Sequence, residues 1–78
     1  MKSQKIEGSD VSEIGFDYVN NELHVVLSNK PDIKYIFKHV SETTFNDFLS
    51  AESKRRFFEK DILPFFTFKA FKDISNNV

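Results

Sequence analysis

The sequence predicts an α+β domain: a three-stranded antiparallel meander (β-β-β) followed by two helices packed on one face, with an aromatic C-terminal segment that fits either a strand or a helix. Three observations carry this reading. Apolar and polar residues alternate through the first half of the chain, the period lengthens to about 3.6 residues after Ser41, and 78 residues leave room for one small domain only. Ten residues are Phe and two are Tyr, while Trp and Cys are absent. A domain of this size buries roughly 60–65% of its unfolded surface and usually needs a disulfide or zinc staple. With no thiol to supply one, and with each Phe able to bury about 150–250 Å2, a dense aromatic core is the expected substitute.

Residues 1–8 are polar and lack the periodicity of a packed element, so they are expected to be mobile, as are residues 72–78; a single domain is expected over 9–71. In residues 11–18, Ile14, Phe16 and Tyr18 alternate with Glu13, Gly15 and Asp17, the period of a half-buried strand. Val11 is out of phase, which predicts a bulge at the strand's start. Asn20 and Asn21 tolerate the left-handed backbone of a tight hairpin turn. The second strand sets Leu23, Val25 and Leu27 against His24 and Val26, and residues 28–32 read as a loop in which Pro31 cannot join a ladder. The third strand places Ile33, Tyr35 and Phe37 on one face and Lys34, Ile36 and Lys38 on the other.

Ser41 is a suitable N-cap, with Val40 and Phe45 in position for a hydrophobic staple. Phe45, Phe48 and Leu49 form the apolar stripe of a helix over about residues 42–51. Ser53 caps a second helix that carries Phe57, Phe58 and Ile62 and is stopped by Pro64. The tail permits a strand through Phe66, Phe68 and Ala70 or a helical stripe through Phe65, Phe68 and Phe71.

Most chemistry is disfavoured by what the chain lacks. The polar N-terminus has no signal-peptide core and no window reaches the ~20 apolar residues of a spanning helix, so a soluble, cytoplasmic protein without membrane attachment is expected. Neither His24 nor His39 has a partner at metal-ligand spacing, and two glycines, Gly8 and Gly15, cannot build a phosphate loop or a nucleophile elbow. The carboxylates match no calcium loop. A non-catalytic domain with no metal and no cofactor follows as the expectation.

Charge placement is more informative than the net charge of −1. Residues 1–52 carry five Lys and nine acids, and residues 53–78 carry six Lys and Arg and three acids. The cations cluster as Lys54, Arg55, Arg56 and Lys60 at the second helix's start, where each costs about 0.3–1 kcal/mol against the helix dipole at low salt. With the Ser53 hydroxyl they suit a phosphate, and Lys34 and Lys38 are weaker candidates for the same anion or RNA contact. Ordinary helix-surface pairing, Arg55 with Glu59 for example, accounts for the same residues. Tyr35 and Phe37 between lysines resemble a base-stacking platform, although they share the core face with Ile33. Phe65, Phe66, Phe68 and Phe71 are harder to bury and are candidates for contact with a protein partner or a second copy of the chain.

The order of Gly15-Phe16-Asp17, Leu23-x-Val25-x-Leu27, Tyr35-Ile36-Phe37, Val40, Phe45, Leu49, Ser53-Lys54, Phe57-Phe58 and Ile62 resembles the KTSC domain. That bacterial and phage module is named for its occurrence at the C-terminus of some lysyl-tRNA synthetases. The family's central Tyr-x-Tyr motif corresponds here to Tyr35 and Phe37, so one hydroxyl is missing. Arg55 stands where the family usually has Gly, and Glu59 where it usually has Asn. The resemblance implies the same α+β fold and no established activity. The synthetase association suggests RNA, tRNA-like or single-stranded, as a partner.

Overall fold

A computed structural model of the chain describes residues 2–5 and 10–72. The chain forms five strands: β1, Lys2–Lys5; β2, Val11–Asp17; β3, Glu22–Leu27; β4, Lys30–Phe37; and β5, Phe68–Lys72. They form one antiparallel sheet in the order β1-β2-β3-β4-β5. Between β4 and β5 the chain forms helix α1, Glu42–Ser50, helix α2, Lys54–Phe57, and a wide π-type turn, Phe58–Ile62.

The expected three-stranded meander is β2-β3-β4, and the sheet is extended at both edges. Lys2–Lys5, expected to be mobile with the rest of residues 1–8, pair with β2 from Lys2↔Phe16 to Lys5↔Glu13. Ladder formation there uses backbone groups, which a reading of side-chain periodicity does not detect. The other residues of that stretch, and residues 73–78, lie outside the described residues. The aromatic tail resolves as strand β5, running from Phe37↔Phe68 to Ile33↔Lys72 along β4. Lys72 therefore belongs to the sheet and not to the C-terminal tail.

The bulge expected at Val11 is present: the β2–β3 register shifts between Val11 and Glu13, and the Ser12 hydroxyl donates to the Val26 carbonyl at 3.2 Å. The shift rotates Val11 into the core, where it is fully buried. The loop expected over 28–32 is shorter. Leu27 pairs with Lys30 around Ser28-Asn29, and β4 begins at once. Pro31 and Asp32 have no registered partner in either flanking ladder, so the missing proline N–H costs nothing.

The turn between β2 and β3 depends on Asp17 and Asn21. The Asp17 carboxylate accepts from the Asn20 side-chain amide at 2.9 Å and from the backbone N–H groups of Val19 and Asn20. Asn21 takes φ 55°, a left-handed conformation that Asn tolerates well. Its carbonyl accepts from the Val40 N–H at 3.0 Å, tying this turn to the entry of α1.

Ser41 caps α1 as expected, its hydroxyl accepting from the Thr44 N–H. The two staple positions, Val40 and Phe45, are both buried. Among the described residues the helices pack on one face of the sheet. Ile14, Phe16, Leu23, Val25 and Phe37 meet Phe45, Phe48, Phe58 and Ile62 in a single core. Phe16 stacks on Phe45 at 5.2 Å between ring centres, and Phe48 stacks on Phe57 at 5.4 Å.

Truncating a core ring removes both transfer energy and packing, so Phe48→Ala is expected to lose about 3–5 kcal/mol, against about 0.5 kcal/mol or less for exposed Phe65→Ala; urea midpoints compare them. Hydrogen bonds from Asn20 and Val19 hold the Asp17 carboxyl below its ordinary value. Its contribution to stability is then complete above the ordinary aspartate pKa and is lost as pH falls through the lower folded value. Carboxyl-detected NMR should show Asp17 titrating below the ordinary aspartate value on acidification, and Asn20→Ala should reduce that shift.

Candidate functional site

The two helical segments leave part of the core face uncovered. A cleft of about 360 Å3 remains there, lined by β4, β5, the β3–β4 turn and the wide turn after α2. Its apolar walls are Leu27, Tyr35, Phe58, Leu63 and Phe68, and its rim carries Asp10, Lys30, Arg55 and Glu59.

The wide turn explains how one segment serves both core and cleft. The Leu63 N–H donates to the Phe58 carbonyl at 2.9 Å, five residues back. Phe58 and Ile62, four apart, are both buried in the core, and Glu59 and Leu63, also four apart, line the cleft. The Phe65 and Phe66 N–H groups both donate to the Ile62 carbonyl, reversing the chain beyond Pro64 toward β5. The second helix expected to run to about residue 63 is thus four α-helical residues followed by this turn.

Arg55 spans the rim. Its Nε donates to Glu59 at 3.2 Å and its Nη1 to Asp10 at 3.3 Å. Glu59 first and Asp10 second hold the guanidinium's pKa above its already high value. All three side chains are more than half exposed, so the pairs order the rim and add little stability. Arg55 with Glu59 is the helix-surface pair expected from spacing. Asp10 lies 45 positions away and no local pattern identifies it.

The remaining members of the expected anion site are dispersed. The Ser53 hydroxyl accepts from the Arg56 N–H, as an N-cap. Lys54 donates from Nζ to the Ala51 carbonyl at 2.8 Å, just past the end of α1, where a cation is favourable. Arg56 and Lys60 are exposed and form no ion pair among the described residues. Lys34 lies on the sheet face opposite the helices, and Lys38 is exposed just beyond β4. These seven residues therefore do not share one surface.

The Tyr-x-Phe motif is on the core side. Phe37 is fully buried, 5.6 Å from the Phe58 ring and 5.0 Å from the Phe68 ring, so it cannot stack on a base. Half-buried Tyr35 lies 6.2 Å from Phe58 and 5.7 Å from Phe68 and forms part of the cleft wall. Among the C-terminal rings, Phe66 packs against the core, while Phe65, Phe68 and Phe71 are 72%, 40% and 51% exposed.

His24, set by the alternation of β3 on the face opposite Leu23 and Val25, is largely covered. Its side chain is 15% exposed, lies 3.6 Å from Glu22, and neither ring nitrogen has a hydrogen-bond partner among the described residues. No group of three potential metal ligands occurs among the described residues, and no helix among them is long and apolar enough to cross a membrane. Leu63 is a cleft residue that periodicity does not mark, since the cleft is formed with β3, β4 and β5, distant in sequence.

The chain matches the family model of the KTSC domain over residues 7–72. The fold is similar to the crystal structure of a KTSC domain protein from Yersinia pestis, with a TM-score of 0.80 and 28% sequence identity, covering 90% of this chain and 96% of that one. No curated protein matches the chain.

Because Phe68 packs on Tyr35 from an exposed edge strand, Phe68→Ala should shift the Tyr35 ring proton resonances and leave the protein folded. The buried Phe37→Ala should instead unfold it at much lower urea, at a cost of about 3–5 kcal/mol. NMR spectra and urea titrations of the two variants give the comparison.

Proposed function

The chain belongs to the KTSC domain family, and we propose that it acts there as a protein-interaction module whose cleft receives an aromatic or branched side chain of a partner protein. Domains of this kind have no known catalytic role. The observation that carries the reading is the apolar cleft of Tyr35, Phe58, Leu63 and Phe68, which lies beside a C-terminal segment with Phe65 exposed. Its volume of about 360 Å3 is at the small end of ligand pockets, enough for one large side chain.

The rim favours a protein over a polyphosphate. It carries two cations and two acids, and the Arg55 guanidinium is already bonded to both Asp10 and Glu59. A phosphate would have to displace those carboxylates, whereas an apolar side chain entering beneath them would not. The RNA reading retains Arg56 and Lys60 as exposed cations.

Phenol and indole are suitable probes, since they present the rings of Tyr and Trp without a peptide. Saturable NMR shifts confined to Leu63, Phe68 and Tyr35, insensitive to salt and lost in Leu63→Glu, are the expected result. Absence of localised shifts would sink the proposal. So would salt-sensitive binding of tRNA or single-stranded RNA that disappears in Arg56→Ala/Lys60→Ala, since phosphate contacts scale steeply with salt.

A further inference from the structure

We infer that the outer edge of β5 pairs with β5 of a second copy of the chain, joining two five-stranded sheets across a twofold axis at Ala70. This goes beyond the cleft reading and rests on it only for the domain being an interaction module, since the surface used is the strand edge.

The two edges of the sheet differ in chemistry. Strand β1 has the sequence Lys-Ser-Gln-Lys, with no apolar residue. In β5 all five residues are exposed, and Phe68 and Phe71 lie on opposite faces of the strand. Among the described residues no strand pairs with the outer edge of β5, and an exposed edge that carries apolar side chains is a template for strand addition. Lysines normally discourage such pairing, so whether Lys69 and Lys72 do so here depends on register.

Symmetry restricts the registers. A twofold axis normal to the sheet leaves every residue on its own face, so the strand must pair about a single residue. Pairing about Lys69 sets that lysine against itself. About Phe71, the overlap shrinks to residues 70–72 of β5. Pairing about Ala70 uses the whole strand, with Phe68 opposite Lys72 and Lys69 opposite Phe71, and no lysine directly faces another. Each ammonium then meets a phenyl ring of the other copy, a favourable cation–π arrangement. The two Phe71 rings become diagonal neighbours, within reach of one another across the pair. The charge pattern Phe-Lys-Ala-Phe-Lys is thus complementary to its own antiparallel copy.

A ladder this short, with two partly exposed rings from each chain, buries less than a standard interface, so the dimer belongs to the weak, concentration-dependent class. Sedimentation of the full chain from about 10 μM to about 1 mM should show monomer–dimer exchange. Phe71→Lys, which sets a second cation against Lys69 of the other copy, should weaken association about tenfold or more. Phe71→Glu, which sets an acid there, should preserve or tighten it. Monomer alone throughout that range, or equal weakening by both variants, would overturn the inference. Phe71 does not line the cleft, so phenol binding serves as an independent readout in the same samples. Failure to dimerise with phenol binding intact removes only the second copy as partner, whereas loss of phenol binding in the parent chain removes the cleft reading.

Discussion

Phe58 joins the helical layer to the sheet. Its ring meets Phe37 edge-on at 5.6 Å, stacks toward Phe48 at 6.2 Å and lies 6.2 Å from Tyr35, so one side chain touches β4, α1 and the cleft wall. A second cluster, Phe16 stacked on Phe45 with Tyr18 edge-on at 5.0 Å from Phe16, pins the other end of α1. With no cysteine in the chain, these rings take the place of a covalent staple. Aromatic pairs contribute about 0.5–1.5 kcal/mol each beyond their burial, while a domain of this length has only about 4–12 kcal/mol of net stability. The aromatic core is therefore decisive for folding, and most of the phenylalanine excess is explained by it.

Burying Phe58 and Ile62 together has a structural consequence. Four residues of α2 are followed by a widened turn that carries both of them, with Leu63 at the cleft just before Pro64. Both N–H groups on the Ile62 carbonyl then redirect the chain, and the Lys38 N–H donates to the Thr67 carbonyl where β5 begins. Core packing, cleft and exposed edge strand are products of one continuous segment. Wide turns of this type recur at functional sites because they displace side chains from regular helical positions.

One ion pair joins the two oppositely charged parts of the chain. Arg55, from the basic residues 53–78, crosses to Asp10 in the acidic residues 1–52 and also pairs with Glu59. Arg55 and Glu59 are the two positions at which the chain departs from the usual Gly and Asn of the KTSC pattern, and here they compensate one another. The substituted pair puts an ion-paired rim above an apolar cleft. Pairing in sequence, from helical spacing, anticipated half of that rim; the Asp10 half depends on β2 being brought beside α2.

Amphipathic periodicity was sufficient to identify β2, β3, β4, the Ser41 cap of α1, the Val11 bulge and the ring set of the core, because each depends on residues close in sequence. The resemblance to the KTSC domain was legible in the same way, from ordered short motifs. Other features depended on contacts between distant residues. Strand β1 is polar and is defined by its backbone ladder to β2; β5 fits two periodicities, and pairing with β4 selects one. His24 is covered although it lies on the alternation's polar phase. The cleft, the Asp10–Arg55 bridge and the dispersal of the candidate cations over two faces belong wholly to the tertiary structure. Local pattern assigns a side chain to a face of its own element. What covers that face is set by packing between elements far apart along the chain.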